Sequence, residues 1–414
     1  MTLPPRHRHR LFAAVVVIVA GLLGHPPVTT GQVLPSEPIS VAAGRLVISA
    51  EVSASTAAKD DAYLNQSDYG QNALRRLALG VTSALSLGAR VSVLADVRTE
   101  SGQPFFVHAA FVRVRPWATR PIDLQAGRIP PTFGAFARRG YGLGNPLIGL
   151  PLPYQYLTSL RADALPANTD DLLSMRGRGW RLSYPIGAQT QDPGVPLMSA
   201  LRWDTGLQVR VGDRPVAIVG AITTGSLSNP LVRDDNGGKQ IAVRAAFQPS
   251  AGLLFGVSAA RAEFVSRVVR DALPPGATPH MTQSGLGADL EYSRDHWLVR
   301  VEGILSSWRL PTVAASLLDT PLRALGITAE GQYKVRPGFY LAGRADHIGF
   351  SSIRGTLFGG RPTPWDVPVT RLEVGGGYYV RQNVLAKLAY QHNWRDNVRD
   401  RRTRFVAAQL SYWF

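Results

Sequence analysis

The sequence predicts an all-β fold: one closed antiparallel transmembrane β-barrel of about 16 strands, with a long third outside loop folded inward. Three observations carry this. Apolar residues recur at every second position through most of the chain, as strands with one apolar and one mixed face require. Past the N-terminus, no run approaches the ~20 apolar residues of a membrane-crossing helix. The chain ends on Tyr412-Trp413-Phe414, which would invite aggregation on a soluble edge strand but suits a membrane–water boundary.

In chain order, Arg6, His7, Arg8, His9 and Arg10 precede an apolar run over 11–24, the pattern of a secretory signal. Residues 1–31 are therefore expected to be a signal peptide, 32–44 a periplasmic lead-in, and 45–414 the barrel. The 414 residues carry a formal charge of +16; removing three Arg with the signal leaves 16 − 3 = +13. These cations are scattered singly among strands, without a basic helix or base-stacking motif, so no nucleic-acid partner is expected. With no Cys, disulfides and thiolate metal sites are excluded.

The alternation begins with Leu46, Ile48, Ala50 and Val52, and recurs at Leu77–Val81, Val91–Val97, Ile241–Phe247, Leu286–Tyr292 and Leu372–Tyr378. It places Leu286, Leu290, Leu372, Val374, Leu410 and Tyr412 outward. It places Asp289, Glu291, Arg300, Arg371, Glu373 and Gln409 inward. A soluble sandwich would show similar strands locally; the export signal and C-terminus favour the barrel. Tight connections such as Pro249-Ser250-Ala251 and Arg336-Pro337-Gly338 alternate with long ones at 263–283, 307–323 and 350–368, as short periplasmic turns and long outside loops do. Strand starts fall near residues 45, 74, 90, 105, 121, 200, 215, 239, 253, 284, 297, 324, 339, 369, 384 and 403. The count is even, as closure requires.

Parity makes 129–199 a single outside connection of about 70 residues, far beyond ordinary loop length. The alternative is a hidden strand pair, with 176–184 as its best candidate. The segment is rich in Pro, Phe, Tyr and Leu, so it is expected to enter the barrel and narrow it.

The run Asp123-Leu-Gln-Ala-Gly-Arg-Ile-Pro-Pro-Thr-Phe-Gly134 resembles a strand-to-loop segment of the phosphate-selective (O/P-type) porins. Asp235–Arg244, Gly287–Tyr292 with Arg300-Val-Glu302, and Gln409–Phe414 resemble other segments of that family. The resemblance implies a porin-like 16-stranded barrel in the bacterial cell outer membrane, passing small hydrophilic solutes by passive diffusion, with a preference for anions such as phosphate. Phosphate binding in that family is attributed to Lys and Arg near the constriction. This chain has four Lys (Lys59, Lys239, Lys334, Lys387), none within 129–199, so a Lys-based trap does not carry over. Arg can replace Lys, bidentately.

The expected constriction residues are Arg138, Arg139, Arg161, Arg176 and Arg178. The loop also holds Arg181, opposed by Asp163, Asp170, Asp171 and Asp192, giving 6 − 4 = +2. Expected on the lumen wall are Arg90, Arg98, Arg202, Arg210, Arg244, Arg300, Arg344 and Arg371. Such residues favour anions when unpaired; the alternative is that acids such as Asp96, Asp204, Glu302, Asp346 and Glu373 neutralise them as wall braces. No catalytic or metal-binding residues and no cofactor are expected: Asp346 and His347 are strand neighbours on opposite faces, and no nucleophile elbow or metal spacing occurs. Expected partners are outer-membrane lipid and small solutes or anions, with a homotrimer as the assembly. A closed barrel acting in surface binding or structure, or an outer-membrane enzyme, are the alternatives.

Overall fold

A computed structural model describes residues 35–67, 70, 72–139, 143–199, 203–277, 281–311, 320–396 and 402–414. The expected signal peptide lies outside them. Sixteen antiparallel strands form the barrel: β1 (Leu46–Ala57), β2 (Leu77–Ser86), β3 (Val91–Glu100), β4 (Phe106–Val114), β5 (Ile122–Ile129), β6 (Asp204–Gly212), β7 (Val216–Thr223), β8 (Gln240–Ser250), β9 (Leu253–Glu263), β10 (Thr282–Arg294), β11 (Trp297–Trp308), β12 (Leu322–Arg336), β13 (Phe339–Phe350), β14 (Val369–Arg381), β15 (Val384–Arg395) and β16 (Arg402–Trp413). Each pairs with its neighbour in sequence, including β5 with β6 across the long loop. The barrel closes between β16 and β1, from Glu51 opposite Trp413 to Ala57 opposite Ala407.

Where β16 runs out at Phe414, a short strand Ile39–Val41 pairs with Leu46–Ile48 and continues the ladder along β1. This covers backbone groups that would otherwise form an open edge. The described part of the lead-in is thus built into the closure.

Pleat sorts the side chains. Ile241, Val257, Leu286, Leu372, Val374, Leu388, Val406 and Leu410 are exposed on the outer face; Leu290 and Tyr412 share its parity and are half exposed. Tyr292, Trp297, Tyr333 and Tyr378 add an outward aromatic band toward the end of the barrel with the tight turns. Asp289, Arg371, Glu373 and Gln409 are buried on the inner face, and Glu291 and Arg300 are partly covered there. Between β12 and β13 the turn is only Pro337-Gly338, with Gly338 at φ 79°, a conformation glycine adopts without the Cβ clash other residues meet.

The interior contains apolar packing. At the long-loop end, Leu152, Tyr156, Leu160, Leu172 and Leu182 of the loop pack with Phe264, Val265, Trp308, Ile348 and Trp365. A second cluster joins Phe133, Phe136, Leu150 and Tyr154 to Ala242, Ala260 and Ile304 of the wall. Residues 176–184 add no barrel strand; there the described chain forms turns and one isolated bridge, Leu182 with Asp192.

Candidate functional site: the loop inside the barrel

The loop leaves β5 at Pro130-Pro131, which cannot extend a ladder, and Gly134 at φ 72° turns it inward. Gly285 and Gly287 on the inner face of β10 make room for the Phe133 ring: a Cβ at 287 would lie 2.9 Å from it. Glu302 of β11 then takes the Ala135 amide at 2.7 Å. A 3-10 turn follows, Phe136–Arg139.

Residues 145–150 are clamped by the wall. Glu373 accepts the Gly149 and Ile148 amides at 2.8 and 3.3 Å. Arg344 donates to the Gly149 carbonyl at 2.6 Å, Lys387 to that of Asn145 at 2.7 Å, and Tyr340 to that of Pro146 at 3.0 Å. Arg371 donates to the Leu150 carbonyl at 3.0 Å, Gln155 at 3.0 Å and the first loop's Leu64 carbonyl at 2.8 Å. Backbone that would be unsatisfied inside a membrane is thus paired with charged wall groups.

Two of these clamps, Arg344 and Glu373, belong to a row of alternating charge. Register places Glu291, Arg300, Glu330, Arg344 and Glu373 side by side from β10 to β14, ending on Gln391 of β15. Arg300 lies 2.8 Å from Glu291 and 3.3 Å from Glu330; Arg344 lies 3.3 Å from Glu330 and 2.7 Å from Glu373. The row is covered by the loop at Glu373 and emerges at Glu291.

After Pro151 the helix Leu152–Gln155 starts with Pro153 in its first turn, where no amide is needed. Helix Thr169–Ser174 is capped by Asn168, whose side chain takes the Asp171 amide at 2.9 Å. Asp366, fully buried in the loop before β14, accepts the amides of Ser159 and Gly177 at 2.8 Å each. Burial raises its carboxyl above the ordinary range.

Among the described residues, two water-accessible cavities stand out toward the tight-turn end. One, about 360 Å³, is bordered by Phe136, Arg139, Arg210, Glu291, Arg300 and Glu330. The other, about 420 Å³, lies by Glu51, Asp96, Arg98 and Leu143.

The constriction arginines part company. Arg139 borders the first cavity, 3.6 Å from Glu291 and 5.8 Å over the Phe136 ring. Arg138 falls in the same turn; its side chain lies outside the described residues. Arg161 needs correcting: fully buried within the loop, it holds Asp163 through two 2.9 Å bonds and the carbonyls of Leu182 and Thr190. It braces the loop's own fold. Arg176 lies over the Phe358 ring at 5.4 Å, and Arg178 is exposed.

Of the wall set, Arg90 is a second correction: it is exposed in the tight connection before β3, because the strand begins only at Val91. Arg202 lies outside the described residues. Arg98 pairs with Asp96, Arg244 with Asp289, and Arg300 and Arg344 join the charged row. Arg210 is exposed near Asp213, at 3.4 Å. Sequence reasoning did not single out Lys387 or Tyr340 as clamps, nor the inward pairs Arg76 with Glu100 and Arg113 with Asp123. Parity with Gln391 and Asn393, opposite to Leu388 and Tyr390, could have placed Lys387 inward. Among the described residues no group of three His, Cys, Asp or Glu could hold a metal.

No protein-family model matches the chain, and no curated protein does. Solved structures do. OmpT of Vibrio cholerae, an outer membrane protein, in its in-vitro folded trimer form aligns with a TM-score of 0.52 at 10% identity, over 89% of this chain and 99% of that one. Salmonella typhi OmpF in complex with daunomycin aligns with a TM-score of 0.50 at 11% identity, over 89% and 97%. At such identities the likeness is one of fold. It is to known outer-membrane porins and not specifically to the phosphate-selective family.

Proposed function

We propose that this chain is an outer-membrane porin through which small hydrophilic solutes diffuse passively, its passage narrowed by residues 129–199. The observation that carries this reading is a closed barrel, apolar outside, whose inward loop leaves two charged cavities open toward the tight turns. A preference for anions such as phosphate is the finer reading. It rests on exposed Arg178 and on Arg139 and Arg210, each of which has one longer acid contact, 3.6 Å to Glu291 and 3.4 Å to Asp213. Because Arg98, Arg244, Arg300 and Arg344 each face an acid, we propose that the preference is modest. The assembly to test first is a trimer, the form in which OmpT of Vibrio cholerae is described.

The test is conductance in a planar bilayer, with reversal potentials across a salt gradient. We expect stable channels, and a lower anion-to-cation ratio after joint replacement of Arg138 and Arg139 by Ala. Cation preference in the unmodified protein would overturn the anion reading. The apolar cluster at the loop end favours a second reading, a closed barrel with a surface role. Absence of conductance even after deletion of the loop would decide for it.

A further inference from the structure

The outer face carries a groove that the passage does not use. It runs across β8 to β11 near the long-loop end and encloses about 490 Å³. Register explains its shape. Val243, Ala259, Leu286 and Leu305 lie in one cross-strand row, so a methyl group sits among three larger side chains. One row nearer the loops stand Ile241, Arg261, Ser284, Ser307 and Arg323.

Arg261 borders the head of the groove, and Arg323 faces outward three strand spacings away, about 14 Å. Arg309 follows β11 with the same outward parity. All three are exposed, and among the described residues none of their side chains makes an ion pair or hydrogen bond. Among the described residues, the acid on this rim, Glu263, is held by Arg270. An apolar channel therefore leads up to two hydroxyls and three uncompensated guanidiniums, each long enough to reach toward a common headgroup.

We propose that this face binds a phosphate-bearing lipid, one acyl chain lying in the groove over Ala259 and the phosphate meeting Arg261, Arg309 and Arg323. Guanidinium matches phosphate bidentately, and unpaired cations at a membrane surface attract anionic headgroups. The apolar groove distinguishes a lipid from a free anion. The site stands apart from the passage and does not depend on whether the barrel conducts.

The test uses the full chain reconstituted in phosphatidylcholine vesicles with spin-labelled phosphatidic acid or spin-labelled phosphatidylcholine. The motionally restricted fraction reports association. Phosphatidic acid should be preferred, and R261Q/R309Q/R323Q should lower that preference by up to about 100-fold. Ala259→Phe, which fills the groove but keeps the cations, should release the chain and leave the fold intact. Equal association of both lipids with the unmodified protein would overturn the proposal, as would an unchanged preference in the triple variant. So would full displacement by excess inorganic phosphate, which marks a free-ion site. Efficient disulfide dimerisation of Ala259→Cys would assign the face to a second copy of the chain and overturn it equally.

Discussion

Replacing Glu373 with Gln should unlatch the loop from the wall while leaving the barrel closed. Its carboxylate is fully buried and takes two loop amides, at 2.8 and 3.3 Å, as well as Arg344 at 2.7 Å. Breaking a buried ion pair costs about 3–5 kcal/mol. Arg344 keeps Glu330 at 3.3 Å and Asp346 at 3.4 Å, so the lower end, about 3 kcal/mol, applies. At 1.4 kcal/mol per tenfold, exchange of the Gly149 amide should quicken by about 100-fold. Gly149→Ala attacks the same contact from the other side: its Cβ would meet the Glu373 carboxylate at 2.4 Å and Gln391 at 2.8 Å. Both variants should show larger and noisier single-channel currents. Unaltered exchange at Gly149 in both variants would refute the latch.

Other outcomes follow from single contacts. Val301→Arg places a cation on the outer face of β11 and should lower barrel stability by about 2–4 kcal/mol in a denaturant titration. Trp365→Ala removes a ring set edge-on to Trp308 and Phe350 and a bond to the Arg323 carbonyl. It should cost about 3–5 kcal/mol and expose 130–203 to protease without opening the barrel. Asp170 takes the Thr356 hydroxyl and the Thr356 and Leu357 amides, and the hydroxyl above all holds its carboxyl below the ordinary range. Its folded value lies under its unfolded one. The stabilisation is therefore present at neutral pH and lost as pH falls through that depressed value, below about pH 4. A pH titration of the Leu357 amide shift should show this loss, and Asp170→Asn should flatten it.

Much of the barrel was legible in the chain because a strand's face pattern is a local property. Parity alone put Leu286 and Leu410 outside and Asp289 and Arg371 inside. Turn chemistry located most strand starts within a few residues: the start expected near 200 is at Asp204, and the one expected near 324 is at Leu322. Even the parity argument for one connection between β5 and β6 needed only counting. The pairing of Glu291 with Arg300 was within reach too, since a two-residue turn sets the register of that hairpin.

What each charge does was decided by tertiary structure. Arg161 and Arg139 look alike in the sequence, yet one is folded into the loop's own interior and the other borders a cavity. Glu373 looks like a wall acid, and becomes a latch only because the loop lays the Gly149 amide against it. Arg344 meets Glu373 across a long connection whose length does not set register, so their pairing depends on the closed sheet. Periodicity assigns a side chain to a face. Its partner depends on which strands stand beside it at that height and where the loop comes to rest, and both are properties of the whole barrel.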